Sequence, residues 1–206
     1  MEIAERLGEK SGGKLSSKLE DLVNCDIIRR YNVRRKKVSV TSAIYQLTDF
    51  YSLFYRSFVE KAEVEKDYWS HHLNTSEVNE WLGFAFERAC AAHVEQIKHA
   101  LHIDHISTKH YSWRSSDLQN RAQVDLLIER ADDIVNLCEM KYSDGKYLIS
   151  KSEEEKIRNR MTTFKHETGL KSAVWITLVS TYGLTPNSHS DIIVANIVMD
   201  DLFVCF

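Results

Sequence analysis

The chain has 206 residues, 43% of them hydrophobic, and carries a net charge of −3; this allows one large domain or two small ones with a real core, and excludes a globally basic nucleic-acid binder. Cys25, Cys90, Cys138 and Cys205 lie far apart with no CxxC pair, which excludes a disulfide framework or zinc ribbon and points to a reduced, cytoplasmic protein. No apolar run approaches the ~18 residues needed to cross a bilayer, "MEIAERLGEK" has no signal-peptide core, and no GxxxxGK[ST] phosphate loop is present.

The chain divides near residue 70. Residues 2–8 read as a short helix with Ile3 and Leu7 one turn apart, broken by "SGGK" at 11–14. Residues 14–26 form a second helix with Leu15, Leu19, Leu22 and Val23 on one face. In "IIRRYNVRRKKVSVTSAIYQLTD" the two ends, "IIRRY" and "AIYQLT", alternate like paired strands, with the basic middle as the tip. Helix, turn, helix and hairpin is the order of a winged helix-turn-helix. Residues 50–69 continue as an aromatic-rich helix.

Residues 29–37, "RRYNVRRKK", hold six basic residues in nine. Arg29, Arg30, Arg34, Arg35, Lys36 and Lys37 could neutralise DNA phosphates, and Lys14 and Lys18 lie one turn apart on the candidate recognition helix. Two blander readings stand beside that one. A charged hairpin avoids edge aggregation, and winged helices also dock proteins.

The second region, 75–206, opens with a long helix over 76–101, with Ser76 as its N-cap. Val78, Trp81, Leu82, Ala85, Ala89 and Ile97 form its apolar stripe. Glu87 stands among Gly83, Phe84, Cys90 and Ala91 at ±3 and ±4. A carboxylate in such surroundings needs a partner, either an arginine in a buried pair or a polar site. Weak strand character over 103–113 is followed by "AQVDLLIE" (122–129) and "IVNLCEMKY" (134–142), joined by a tight turn. A helix over 153–168 with Gly169 at its C-cap, a buried strand over 173–180 and a strand over 192–198 complete a mixed sheet flanked by helices.

Parity then groups side chains. Gln123, Asp125 and Leu127 share one face of their strand; Leu137, Glu139 and Lys141 share one face of the next. With an odd-numbered loop such as 131–133, Asp125 opposes Glu139, Gln123 opposes Lys141 and Leu127 opposes Leu137. Opposed carboxylates destabilise a sheet, and a hard divalent cation between them would relieve that. Lys141 beside them could orient or deprotonate a water and offset phosphate charge. The plain alternative is a pair of ordinary hairpin charges.

Asp125, a 13-residue gap, then Glu139-Met140-Lys141, preceded by a helical Glu87, resembles the PD-(D/E)xK nuclease superfamily. Val124 stands where that motif usually has proline. Through "GGKLSSKLEDLVNCDIIRRY", "YQLTDFYSLFYRSFVEK", "NEWLGFAFE", "AQVDLLIE" and "LCEMKYS", the whole chain is similar to the C-terminal part of archaeal-type AAA ATPases, in which a winged helix precedes a nuclease-like domain. The resemblance implies an α/β (α+β) fold, with a winged helix-turn-helix over 1–70 and a restriction-endonuclease-like sheet over 75–206. It implies a metal-dependent DNA endonuclease, or a regulatory DNA-binding module that kept the fold. Asp125, Glu139 and Glu87 would be ligands for Mg2+ or Mn2+, with Lys141 positioning water and Gln123 near the scissile phosphate. Gln123 stands where these domains often carry glutamate, which removes one carboxylate. The ATPase portion is not among these residues, so a split gene, fragment or degenerate copy is expected. Its partners would be DNA, a separate ATPase and a second copy covering Ile3 and Leu7, with no membrane.

The remaining features carry less. His99, His102 and His105 diverge along a helix end, His71 and His72 fall in the linker, and Trp69, Trp81, Trp113 and Trp175 read as core or interface.

Overall fold

The computed structural model describes residues 2–35, 40–60, 67–73, 75–116 and 122–206, with the backbone alone for residues 2, 31–35 and 40–43. The chain forms two compact units, one of Met1–Tyr31 and Ala43–Tyr68, the other of Asn32–Ser42 and Trp69–Phe206.

In the first unit, helices α1 (Glu2–Arg6) and α2 (Gly13–Asn24) lead into strands β1 (Ile28–Arg35) and β2 (Val40–Leu47), of which residues 32–35 and 40–42 fall in the second unit. Both strands run further into the basic segment than residue alternation indicates, so Arg34 and Arg35 are strand residues rather than tip. Leu15 is buried, Ile3 is half-buried and Leu7 is exposed. Helix α3 (Phe50–Phe54) starts on Asp49, whose carboxylate accepts from the Tyr51 and Ser52 amides at 3.2 and 3.0 Å. It then widens into a π-helical turn at Tyr55–Val59, where a continuous α-helix was expected. His71 and His72, expected in the linker, lie in helix α4 (Tyr68–His72), where the second unit resumes at Trp69.

The second unit is a five-stranded mixed sheet flanked by helices. Strands β3 (Thr108–Arg114), β4 (Gln123–Arg130), β5 (Ile134–Lys141), β6 (Ala173–Ser180) and β7 (Ile193–Val198) lie side by side in chain order. The β3–β4 and β4–β5 pairs are antiparallel; β5–β6 and β6–β7 are parallel. On the β3 side, Val33 and Arg34 of the hairpin segment align in parallel with Ser112 and Trp113.

The long helix expected over 76–101 is two helices. Helix α5 (Ser76–Ala92) ends at His93, whose ψ of 36° leaves the helical range, and α6 (Val94–Ala100) restarts there. The N-cap is Thr75, not Ser76; its hydroxyl accepts from the Val78 amide at 3.3 Å. The buried stripe also differs from expectation. Val78, Phe86, Cys90, Val94 and Ile97 are buried, while Trp81 and Leu82 are only half-buried. Phe86, Cys90, Val94 and Ile97 keep one helical spacing across the break at His93, so the buried face lies to one side of the expected stripe.

The two sheet faces carry separate cores. Phe86, Cys90, Val94 and Ile97 pack with Leu126, Ile128, Cys138, Met140 and Val179. On the opposite face, Leu127, Val135, Leu137 and Ile176 pack with Ile157 and Phe164 of α7 (Lys151–Thr168). Ring edge meets ring face where Trp113 packs on Phe164, 5.3 Å between centroids. The Ser150–Glu153 capping box begins α7, and Gly169 at φ 66° ends it in the left-handed conformation that glycine adopts without a Cβ clash.

Candidate functional site

The hairpin register places the site. Leu126 faces Cys138 and Leu127 faces Leu137 across β4 and β5. Glu139 follows Leu137 by two residues on one face of β5, whereas a register irregularity opposite Tyr111–Trp113 interrupts the alternation of β4 at Asp125, and Val124 packs in the same core as Leu127. The two-residue alternation also brings Lys141 to the Glu139 face of β5. The loop that fixes this register is 131–133, closed by Asp133 at φ 63°.

Glu139 is 4% exposed. Burial pushes its carboxyl above the usual glutamate range, the positive charges of Arg160 and Lys141 pull it back, and Asp125 adds repulsion. Glu87, half-buried on α5, is raised first by burial and then by Asp125; Lys141 and Arg88 oppose this, and Glu139 adds to it. The three carboxylates and Lys141 therefore share one electrostatic neighbourhood. Asp125 is half-buried and accepts a hydrogen bond from the Gln123 side-chain amide.

Arg160 of α7 completes the cluster. Its Nη1 lies 2.7 Å from Glu139 Oε1 and donates to Oε2 at 2.9 Å. The shorter contact is an ion pair without hydrogen-bond alignment, so Oε1 is left with no hydrogen bond. Tyr147 and Glu153 flank this pair. The Tyr147 hydroxyl donates to Glu153, and burial together with Glu153 drives the phenol well above its ordinary range. Burial raises the Glu153 carboxyl, but hydrogen bonds from Tyr147 and from Ser150, with Lys141 nearby, bring it below its ordinary value.

Sequence reasoning passed over Arg160, Glu153 and Tyr147. A signal for two of them was present. Glu153, Ile157, Arg160 and Phe164 recur at helical spacing, so an arginine and a glutamate lie on the stripe that buries Ile157 and Phe164. A charge on a buried stripe calls for a partner, and Glu139 is it. The positive charges acting on Glu87 are Lys141 and Arg88, while Arg160 pairs with Glu139.

Glu139 meets the Arg160 guanidinium and lies in the field of Lys141 and Asp125. Among the described residues, no group of three or more His, Cys, Asp or Glu side chains is gathered closely enough to hold a metal ion as they stand. His99 pairs with Asp104 at 3.2 Å and stacks flat on Phe206, with ring centroids 4.4 Å apart.

The basic residues are spread differently. Lys14 and Arg30 are exposed, Lys18 pairs with Glu9 at 3.0 Å, and Arg29 donates to Gln46 at 3.5 Å. Arg34 and Arg35 lie on β1 with backbone positions only, and Lys36 and Lys37 fall outside the described residues. Of the tryptophans, Trp113 is fully buried, whereas Trp175 is partly exposed under the Arg130 guanidinium at 5.4 Å. All four cysteines are free thiols. No helix among the described residues is long and apolar enough to cross a membrane. No family model, curated protein or solved structure matches the chain.

Proposed function

We propose that the second unit is a metal-dependent, PD-(D/E)xK-type deoxyribonuclease domain that hydrolyses phosphodiester bonds, carried beside a winged-helix DNA-binding module. One observation carries the reading: Glu139, buried and coupled to Asp125, Glu87 and Lys141 on adjoining elements. Hydrophobic burial alone would exclude four such groups from one neighbourhood, because each buried charge costs free energy unless it is used or paired. The oxygens of Asp125, Glu139 and Glu87 would hold Mg2+ or Mn2+. Such a cation, when bound, lowers the pKa of a coordinated water and offsets phosphate charge. Lys141 would orient the attacking water, and Gln123, already donating to Asp125, would hold that carboxylate in place. The order helix, helix, strand and strand over residues 2–47, with exposed Lys14 and Arg30, supports the DNA-binding part. A separate ATPase subunit and a second copy are proposed partners, by the resemblance alone.

A second reading has its own observation. Arg160 already neutralises Glu139, as expected of a regulatory module that kept the fold without catalysis. Cleavage assays with Mg2+ and Mn2+ on linear, circular and branched DNA separate the two. Cutting that depends on metal and is lost in Asp125→Ala supports the nuclease; DNA binding without cutting of any form supports the regulatory module.

A further inference from the structure

We propose that His189 is a phosphoryl-accepting histidine: its Nε2, turned outward by a carboxylate on Nδ1, takes a phosphoryl group from a small donor such as an acyl phosphate or a phosphoramidate. No metal enters this reading. Nδ1 lies 2.7 Å from Glu154 Oε2. Hydrogen bonds from His189, then Arg158, hold the Glu154 carboxyl below its ordinary range, so it is ionised and can only accept. Nδ1 therefore carries the proton, and the lone pair of the neutral ring stands on Nε2. No described residue bonds to Nε2, and the side chain is 33% exposed. The loop that bears the ring is itself tied down. Asn187 Oδ1 accepts from the His189 amide at 3.0 Å, and Asn187 Nδ2 donates to the Ile149 carbonyl oxygen at 2.8 Å. The Asn187 amide donates to Ser190 Oγ at 2.9 Å, and that hydroxyl donates back to the Asn187 carbonyl oxygen at 2.8 Å.

An imidazole held in this way accepts an electrophile at Nε2 at low cost, because the carboxylate faces the positive charge that the ring acquires. Nε2 attacks phosphorus and an N–P bond forms. The P–N bond of a phosphoramidate, or the P–O bond of an acyl phosphate, breaks, and its electron pair leaves with ammonia or the carboxylate. Nδ1 keeps its proton and its bond to Glu154. Arg158 supplies a cation beside the ring, since its Nε and Nη2 each lie 2.7 Å from Oε1 of the same carboxylate. Its side chain is 55% exposed, so the guanidinium is free to turn toward phosphoryl oxygens. The other acids nearby in sequence, Glu155 on α7 and Asp191 on the loop, are exposed and screened by solvent. His99, whose Nδ1 lies 3.2 Å from Asp104, is the internal comparison with a longer contact.

Incubation of the protein with potassium phosphoramidate tests the assignment. Peptide mass spectrometry at neutral pH locates the label among the nine histidines, and phosphorus NMR distinguishes the two ring nitrogens. His189 should be labelled first, at Nε2, about tenfold ahead of the other histidines, and Glu154→Gln should remove that lead. No label on His189, a label spread evenly over the histidines, or a label on Nδ1 of His189 would overturn the proposal. So would an undiminished lead in Glu154→Gln. If Glu154→Gln does not fold, the residue and ring nitrogen labelled in wild type decide the matter.

Discussion

Glu87 and Glu139 are two glutamates whose environments push their carboxyls the same way, upward, mainly through burial. The sign of the consequence follows from proton linkage. A carboxyl raised in the folded state holds its proton longer than in the unfolded chain. Stability is therefore undiminished below the unfolded value, falls as pH rises from it through the raised one, and then levels off. Glu87→Gln has no proton to lose. Measured by urea unfolding, its stability relative to wild type should rise from about pH 4 toward neutrality; a pH-independent difference would mean that Glu87 is not held above its ordinary 4.5. Under the nuclease proposal, Asp125 and Lys141 divide their roles by charge. Asp125→Ala should lose both Mn2+ binding and cleavage, since an oxygen ligand is gone. Lys141→Ala should bind Mn2+ at least as well as wild type but fail in single-turnover cleavage, because a cationic neighbour is gone while the ligands remain. Cleavage by Lys141→Ala at the wild-type rate would reduce the lysine to a strand charge.

Helix α7 is the element that organises the site. Its N-terminus is fixed by the reciprocal Ser150–Glu153 capping box and its C-terminus by Gly169. Between them it presents Glu153, Ile157, Arg160 and Phe164 to the sheet. Ser150→Ala should cost about 1 kcal/mol, since it strips the hydroxyl from the Glu153 amide. Gly169→Ala meets open space but takes on a φ of 66°, and should cost about 1 kcal/mol through backbone strain alone. Thermal or urea unfolding measures both. An unchanged stability at Gly169 would mean that the helix end relaxes instead. The same logic explains why α5 and α6 are separate. His93 breaks the helix while its ring nitrogen reaches the Ala89 carbonyl oxygen at 2.8 Å, and the chain resumes as α6 with Val94 and Ile97 buried.

For the whole molecule, the proposal joins two activities: the first unit and the basic hairpin segment hold DNA, and the second unit cuts it. Replacing Arg34, Arg35, Lys36 and Lys37 together with alanine should weaken DNA binding at low salt. It should also reduce the log–log salt slope by about 0.9 for each phosphate that is no longer neutralised, read by fluorescence anisotropy across a salt series. An unchanged slope would assign the hairpin to protein docking or to protection of a sheet edge.

Much of the second unit was legible from sequence because its signals are local. Runs over 122–129 and 134–142 gave both strands, and an odd-numbered loop gave the Leu127–Leu137 pairing. A helical run over 153–168 with a terminal glycine gave α7 and its C-terminal end, and an unbroken apolar run marked β6 as central. What sequence left undecided depends on contacts between elements distant in the chain. No period in residues 76–101 tells where a helix restarts after a break; the packing of Val94 and Ile97 against the sheet decides that. Alternation ended the strands of the hairpin too early, because charged residues can occupy strand positions once a neighbouring strand supplies hydrogen-bond partners, as β3 does for Val33 and Arg34. The spacing of Glu139 and Lys141 grouped them on one face, but the cation facing Glu139 comes from a helix 21 residues further along the chain. Pairing of charges across that separation is set by how α7 lies on the sheet, which tertiary packing alone determines.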